Sequence, residues 1–152
     1  MPKVKVLARN WLIEINNGTD VVPEWVRIGG ITSFTLSNDK EDTDTTDFDS
    51  GGYGDHIVAG RSFEISFEGF FLEDPTDATR DPGQQAVENL ADKIGYESLG
   101  QFRMTSPSGL AKVYRGSVGV GDVGGGVTDA TSWGATVTVA GRPTELAAGA
   151  AA

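Results

Sequence analysis

The most acidic stretch of the chain, residues 39–56, has the composition of a candidate calcium loop. It reads DKEDTDTTDFDSGGYGDH and carries seven carboxylates against one lysine in eighteen residues. An EF-hand loop beginning at Asp47 would need a bidentate carboxylate at its twelfth position, which is Val58. The stretch therefore favours a solvated acidic loop or a surface held for a partner, and irregular calcium binding by its aspartates stays open.

Candidate catalytic groups are few and poorly spaced. Glu64 and Glu68 would lie on one face of one strand about 13 Å apart, beyond the roughly 6.5–9.5 Å that an inverting glycosidase uses. His56 is the single histidine and there is no cysteine, so no Ser/His or Cys/His pair has a second candidate base. We therefore expect neither an enzyme nor a bound cofactor.

A glycine-rich segment, residues 119–126, matches the letters of the dinucleotide-binding fingerprint. That fingerprint needs a helix N-terminus after the glycines to receive the pyrophosphate. Here GVGDVGGG is followed by VTDATSW, which leads into a strand pattern. We interpret the segment as a flexible hairpin connection.

Composition predicts one domain, over residues 1–144, followed by a flexible tail over residues 145–152. The 152 residues include 38% hydrophobic side chains, enough for one buried core. Twenty-two acidic residues against twelve basic ones give a net charge of -10, which argues against tight nucleic acid binding. No apolar run approaches the roughly 18 residues of a membrane span, so we expect no membrane partner.

Alternating patterns predict a mainly β fold. Residues 31–37 and 62–68 each place apolar side chains on one face and small or acidic side chains on the other. Further strands are predicted near residues 11–15, 25–28, 99–105, 112–120 and 132–140. The uniform polar face of the two alternating segments comprises Ser33, Thr35, Ser37, Ser62, Glu64, Ser66 and Glu68.

One helix is predicted, over residues 81–95. Asp81 is the expected N-cap, Pro82 the first helical residue and Gln84 the third residue of a capping box, and a glycine ends the segment. Residues at helical spacing form an apolar stripe expected to pack on the sheet, its core members being Val87, Leu90 and Ile94.

In this order of elements the chain resembles the major tail proteins, or tail tube proteins, of long non-contractile-tailed bacteriophages. The resemblance covers about residues 9–143, with WVRIGGI at 25–31, DTTDFDS at 44–50 and VTVAGRP at 137–143 as its landmarks. It implies an α+β fold: a small β-sandwich or half-barrel flanked by one α-helix, with a long loop between two central strands.

The resemblance also implies a function. Such subunits form hexameric rings that stack into a tube in the virion tail, assembled in the host cytoplasm, through which DNA passes without tight binding. The polar face would then line the channel, and the long loop would reach a neighbouring ring. Arginines and lysines such as Arg61, Arg80, Arg103, Lys112 and Arg115 are the cations available to receive it. The ring-stacking residues would be Asp42, Asp44, Asp47, Phe48, Asp49 and Tyr53.

Other partners implied by the resemblance are the tape measure protein, the tail terminator and baseplate or tip proteins. Two alternatives stay open. One is the inner tube of a contractile injection device, which shares the fold. The other is a free-standing β-sandwich that binds carbohydrate, with Trp11, Trp25 and Tyr53 as an aromatic platform.

Overall fold

A computed structural model describes residues 2–146 of the chain. It contains ten strands, one α-helix and three 3₁₀ turns, at Ala8–Asn10, Phe48–Ser50 and Gly95–Ser98. The helix, α1, spans Pro82–Ala91. The strands are β1 Leu12–Asn16, β2 Trp25–Arg27, β3 Ile31–Asp44, β4 His56–Phe70, β5 Glu73–Asp74, β6 Thr79–Arg80, β7 Gly100–Thr105, β8 Ala111–Val120, β9 Ser132–Val139 and β10 Thr144–Leu146.

Eight strands form one antiparallel sheet in the order β2-β1-β7-β8-β9-β4-β3, with β10 paired to β8. The short strands β5 and β6 form a separate ribbon. The sheet folds over on itself, because the Trp11 ring beside β1 lies 6.0 Å from the Phe34 ring on β3. It does not close into a barrel, since β2 and β3 are edge strands within the described residues. The predicted β-sandwich with one flanking helix is confirmed.

The core lies between the two halves of this curled sheet. Along β9, and in β4 from Ile65 onward, every second residue is buried, as the alternation predicted. The Trp11–Phe34 contact joins the two ends of the sheet, and the Phe67 and Trp133 rings, on the neighbouring strands β4 and β9, pack 6.0 Å apart within the core. The largest fully buried side chains are Trp133, Phe102, Ile15, Ile65, Gln84, Val87 and Val137.

Helix α1 packs its apolar stripe against β8, β1 and β2. Asp81 caps it as predicted, because its carboxylate accepts the Gln84 backbone N–H at 3.1 Å. Val87 and Leu90 are buried, as predicted. The prediction is wrong for Ile94, which is 92% exposed. The helix ends at Ala91 and Ile94 has extended backbone, so its side chain leaves the stripe.

Gln84 has a different role from the predicted one. Its amide does not return to the cap. It donates to the carbonyl oxygens of Gly29 and Phe70 and accepts the Leu72 N–H at 3.1 Å. Since a buried amide must be hydrogen-bonded, this fully buried side chain ties the helix to the chain before β3 and after β4.

The acidic stretch is a β-hairpin for much of its length, which corrects the predicted long loop. β3 continues to Asp44 and β4 begins at His56, so only residues 45–55 are loop. Cross-strand hydrogen bonds satisfy the backbone there, while the acidic side chains stay in water. A β-bulge interrupts the ladder where Glu41 pairs with Gly60 and Asp42 with Val58, leaving Ala59 unpaired.

The end of the chain also departs from the prediction. Glu145 and Leu146, assigned to the flexible tail, belong to β10 and pair with Lys112 and Ala111 of β8. The rest of the predicted tail, residues 147–152, lies outside the described residues.

Candidate assembly surfaces

The predicted channel-lining residues lie together on one face of β3 and β4. Ser33 is directly opposite Glu68, Thr35 opposite Ser66, and Ser37 opposite Glu64. Opposed residues on antiparallel strands project to the same side of the sheet. The last member of the set, Ser62, pairs with Asp39 and extends the face toward the hairpin. The strands therefore bring the whole predicted set onto one surface.

This polar face also extends over two strands that the predicted set left out. On the side of β4 away from β3 lies β9, whose Thr138 pairs with Glu64 and whose Thr136 pairs with Ser66. Beyond β9, Ser117 pairs with Thr138 and Gly119 with Thr136. The alternation in residues 132–139 was visible in the sequence, but the pairing of β9 with β4 was not. We call the surface formed by these residues of β3, β4, β9 and β8 the polar face.

Hydrogen bonds across the polar face are sparse. Ser33 Oγ donates to Glu68 Oε1 at 3.0 Å, which holds one carboxylate against β3. The Glu64 side chain is exposed. Carboxylates and hydroxyls so placed give a wetted surface with a negative potential, which repels a phosphate backbone.

Most of the cations expected to receive the acidic hairpin already have partners. Arg103 forms a bidentate pair with Glu14, with a shortest N–O distance of 2.9 Å, and its guanidinium lies over the Trp25 ring. Arg80 pairs with Glu88 and lies over the Phe71 ring.

Two further cations are held more loosely. Arg115 lies 3.4 Å from an Asp20 carboxylate oxygen, and Lys112 lies 3.4 Å from Glu145. Within residues 2–146, Arg61 forms no ion pair. Of the five expected cations, Arg61 is therefore the one without an ion-pair partner in this part of the chain.

The hairpin tip is an ordered turn. Asp47 caps the 3₁₀ turn Phe48–Ser50, accepting from the Asp49 N–H at 3.0 Å and from Ser50 Oγ. Gly51 and Gly52 follow with φ of 65° and 85°, a conformation that favours glycine. The Asp44 carboxylate accepts the Thr46 N–H at 2.9 Å.

Within the described residues, the pKa values of Asp44 and Tyr114 are shifted. Hydrogen bonds from the Thr46 hydroxyl and then from its N–H lower the pKa of Asp44 below its usual range. Burial raises the pKa of the Tyr114 phenol, which packs in the core. The Asp44 and Asp47 carboxylates therefore hold the turn at the hairpin tip, while the exposed Asp42 and Asp49 carboxylates remain free to meet a partner.

Two aromatic side chains project from this tip into water. Phe48 is fully exposed and Tyr53 is 80% exposed. Because the turn that carries Phe48 is fixed by its cap, the ring is presented at little further cost in conformational entropy. The predicted anchors are therefore accessible, and their role in stacking stays a prediction.

The aromatic platform proposed for carbohydrate does not form. The Trp25 ring is covered by Arg103, the Trp11 ring packs against Phe34, and Tyr53 is at the hairpin tip. Within residues 2–146, no three His, Asp or Glu side chains are grouped to hold a metal ion. A membrane-crossing helix is likewise missing from this part of the chain.

Comparisons with known proteins agree on one class. A family model described as phage tail tube protein matches residues 6–89, more than half of the chain. No curated protein sequence matches this chain. Among solved structures, the chain is similar to a protein chain from the tail of an empty gene transfer agent particle. That tail structure was computed by helical refinement with C6 symmetry. That match has a TM-score of 0.74 and 19% identity, and covers 94% of this chain and 100% of the other.

Two other structures share the fold. One belongs to the virion of a native gene transfer agent particle, with a TM-score of 0.67, 19% identity and coverage of 94% of this chain and 100% of the other. The second belongs to a six-fold symmetrised anti-feeding prophage baseplate, with a TM-score of 0.59, 9% identity and coverage of 98% and 100%. The family match over more than half of the chain, together with the shared mainly β fold, gives one conclusion: this chain belongs to the phage tail tube protein family, whose members are structural proteins of the virion tail.

Proposed function

We propose that the chain forms hexameric rings that stack into a tube, with the polar face lining a channel for DNA. The observation that carries this proposal is the polar face itself, on which hydroxyls and carboxylates of four neighbouring strands stand together. The symmetry in the descriptions of two similar structures, C6 and six-fold, supports the ring size.

Simple geometry agrees with a channel of useful width. Six subunits contributing four strands each, at a spacing of about 4.8 Å and a tilt of roughly 45°, would close at a backbone diameter of about 50 Å. This leaves room for a duplex after side chains are added. A negative wall would keep DNA from adhering during passage.

We further propose that the hairpin of one subunit reaches the next ring. Phe48 and Tyr53 supply apolar contact there, while the exposed carboxylates set the orientation through salt-sensitive pairs worth about 0.2–1 kcal/mol each. The tape measure protein, the tail terminator and baseplate or tip proteins would contact the ends or the lumen of the finished tube.

Electron microscopy of the concentrated protein tests the proposed function. Negative staining should show hollow tubes with six-fold end views. Replacing residues 41–54 by a short Gly-Ser link should leave a folded subunit that no longer stacks, and Phe48→Ala should weaken stacking more than Asp49→Asn. A wild-type chain that stays monomeric at every concentration would contradict the proposal.

The inner tube of a contractile injection device is the second candidate. The likeness to the anti-feeding prophage baseplate protein is the observation that keeps it, although its TM-score is lower than that of the gene transfer agent tail protein. Binding of a sheath protein to the outside of assembled tubes would favour this candidate, and bare tubes in the native particle would exclude it.

A further inference from the structure

The strands that carry the polar face end in two rims of different character. β3, β4, β8 and β9 are antiparallel neighbours, so each connection between them lies at one end or the other. The end from which the acidic hairpin projects, with the start of β8 and residues 141–145, is the hairpin rim. The opposite end, with residues 121–131 and 69–72, is the loop rim, where the Phe71 N–H donates to the Thr131 carbonyl at 2.9 Å.

An apolar cavity opens at the hairpin rim. It measures about 420 Å³ and is lined by residues of β3 on one side and of β7 and β8 on the other. Leu110 at its mouth is 63% exposed, and Lys112 and Glu145 stand beside it. A cavity of this volume with apolar walls accommodates an apolar side chain of a partner. The apolar walls are Trp11, Phe34, Leu36, Met104, Leu110 and Tyr114.

Cations surround this cavity. Arg61, Lys112 and Arg142 line an adjoining depression, and Lys40 lies directly opposite Arg61 across the hairpin. Like charges in opposed positions are unfavourable unless an anion lies nearby. Within residues 2–146 the exposed Lys112–Glu145 pair is the only ion pair in this group. The apolar opening is therefore bordered by more cations than acids: Glu145 is the one acid lining either depression within residues 2–146, and the acidic hairpin projects beyond them.

The loop rim has the complementary character. Its most exposed apolar side chain is Val127, which has no neighbour covering it, and Val123 is 51% exposed. Two acids, Asp122 and Asp129, flank these valines in the sequence. An acidic segment with an apolar apex fits a cationic opening with apolar walls.

The segment that carries Val127 is ordered, although it is rich in glycine. The Gly126 N–H donates to Asp129 Oδ2 at 2.9 Å, and the Asp129 N–H donates to the Gly126 carbonyl at 3.1 Å. At its base the Ser132 N–H donates to the Gly124 carbonyl at 2.8 Å. These bonds turn the segment that mimics a dinucleotide fingerprint into a tight turn that holds Val127 outward.

We propose that the 121–131 turn of one copy docks on the hairpin rim of a copy in the adjacent, stacked ring. Val127 enters the apolar cavity, and Asp122 and Asp129 face the cations Arg61, Lys112 and Arg142. This docking rests on the proposed stacking of rings, and these two surfaces would form the contact between them. Because the two surfaces differ and lie at opposite ends, the contact is heterologous and repeats along an open stack.

Disulfide cross-linking tests the docking directly, since the chain has no cysteine. Val127→Cys combined with Leu110→Cys should give, in oxidised tubes, a ladder of covalent oligomers on a non-reducing gel. The matched control is Val21→Cys, 89% exposed on the β1–β2 loop, combined with the same Leu110→Cys. The control pair should stay monomeric on the gel.

The outcomes separate the two proposals. Tubes that form without the Val127–Leu110 cross-link, or that cross-link equally well in the control, overturn the docking and leave the proposed function standing. A wild-type chain that never forms rings or tubes overturns the proposed function and the docking with it.

A charge reversal decides the matter if the double-cysteine variant does not fold. Asp122→Lys and Arg142→Glu should each lower the yield of sedimentable tubes by about fivefold or more, because a weakened pair is repeated in every subunit. The double variant should recover the yield, and Asp92→Lys at the end of α1 should have no effect. Unchanged yields for both single variants, or a loss that the double variant does not repair, would overturn the docking.

Discussion

At the scale of single residues, the Asp44 carboxylate offers a test of order at the hairpin tip. Hydrogen bonds from Thr46 depress its folded pKa, so the ionised form stabilises the turn above the unfolded pKa, near 3.8, and this contribution is lost as the pH falls through the folded pKa. An NMR titration of the monomer should give an Asp44 midpoint below 3.8. Thr46→Val should raise that midpoint, because it removes the hydroxyl beside the carboxylate and, with it, the bonds to the Asp55 N–H and carbonyl that hold the Thr46 N–H in place. A midpoint unaffected by Thr46→Val would show that the turn is not formed in solution.

Residue types predicted several single positions correctly. Asp81 as an N-cap and the alternation around Ile65 and Phe67 follow from local rules of capping and strand geometry. Gln84 was misread because its three hydrogen-bond partners come from the chain before β3 and after β4. Such a role depends on the tertiary packing and leaves no trace in the spacing of neighbouring residues.

At the scale of elements, α1 gives a matched pair of substitutions. Leu90→Ala should lower the free energy of unfolding by about 2–5 kcal/mol, since it removes a side chain that is only 9% exposed. Ile94→Ala changes a 92% exposed side chain and should stay within about 0.5 kcal/mol of the wild type. Urea denaturation followed by circular dichroism measures both. Equal effects of the two substitutions would contradict the docking of the helix.

The elements were predictable where a periodic pattern was strong. The existence of β3 and β4 and the start of α1 follow from such patterns, whereas the ends of these elements were not predicted correctly. The acidic residues of β3 beyond Asp39 have low strand propensity, yet pairing with residues 56–62 extends the strand to Asp44. The helix stops early because Ile94 takes extended backbone before Gly95, whose φ is 78°.

At the scale of the whole molecule, the polar face predicts how an assembled tube treats DNA. Replacing both Glu64 and Glu68 by Lys should leave folding and assembly largely intact, because exposed substitutions usually change stability by within about 0.5 kcal/mol. The tubes should then retain duplex DNA in a co-sedimentation assay and slow its passage. Gln at both positions is the control, since it removes charge without reversing it. Failure of the Lys variant to form rings would place these residues at a subunit interface.

The order of strands around the sheet was beyond prediction from sequence. Nothing in the spacing of Thr136 or Ser117 shows that β9 lies between β4 and β8. Long-range pairing is set by the packing of the apolar faces as a whole. The polar face was therefore predicted for two strands and found on four.

The bulge at Ala59 determines where the hairpin points. A bulged strand bends and twists more strongly than a regular ladder. Phe48 is six residues beyond Asp42 at the bulge, an arm of at most roughly 20 Å, over which a change of about 20° moves the tip by about 7 Å. Deleting Ala59 would let Glu41–Gly60 and Asp42–Val58 stay paired in a regular ladder. The variant should fold normally, but its tubes should have an altered rotation between successive rings, or should not elongate. Helical reconstruction measures this angle, and an unchanged angle would show that the direction of the hairpin does not set the pitch of the tail.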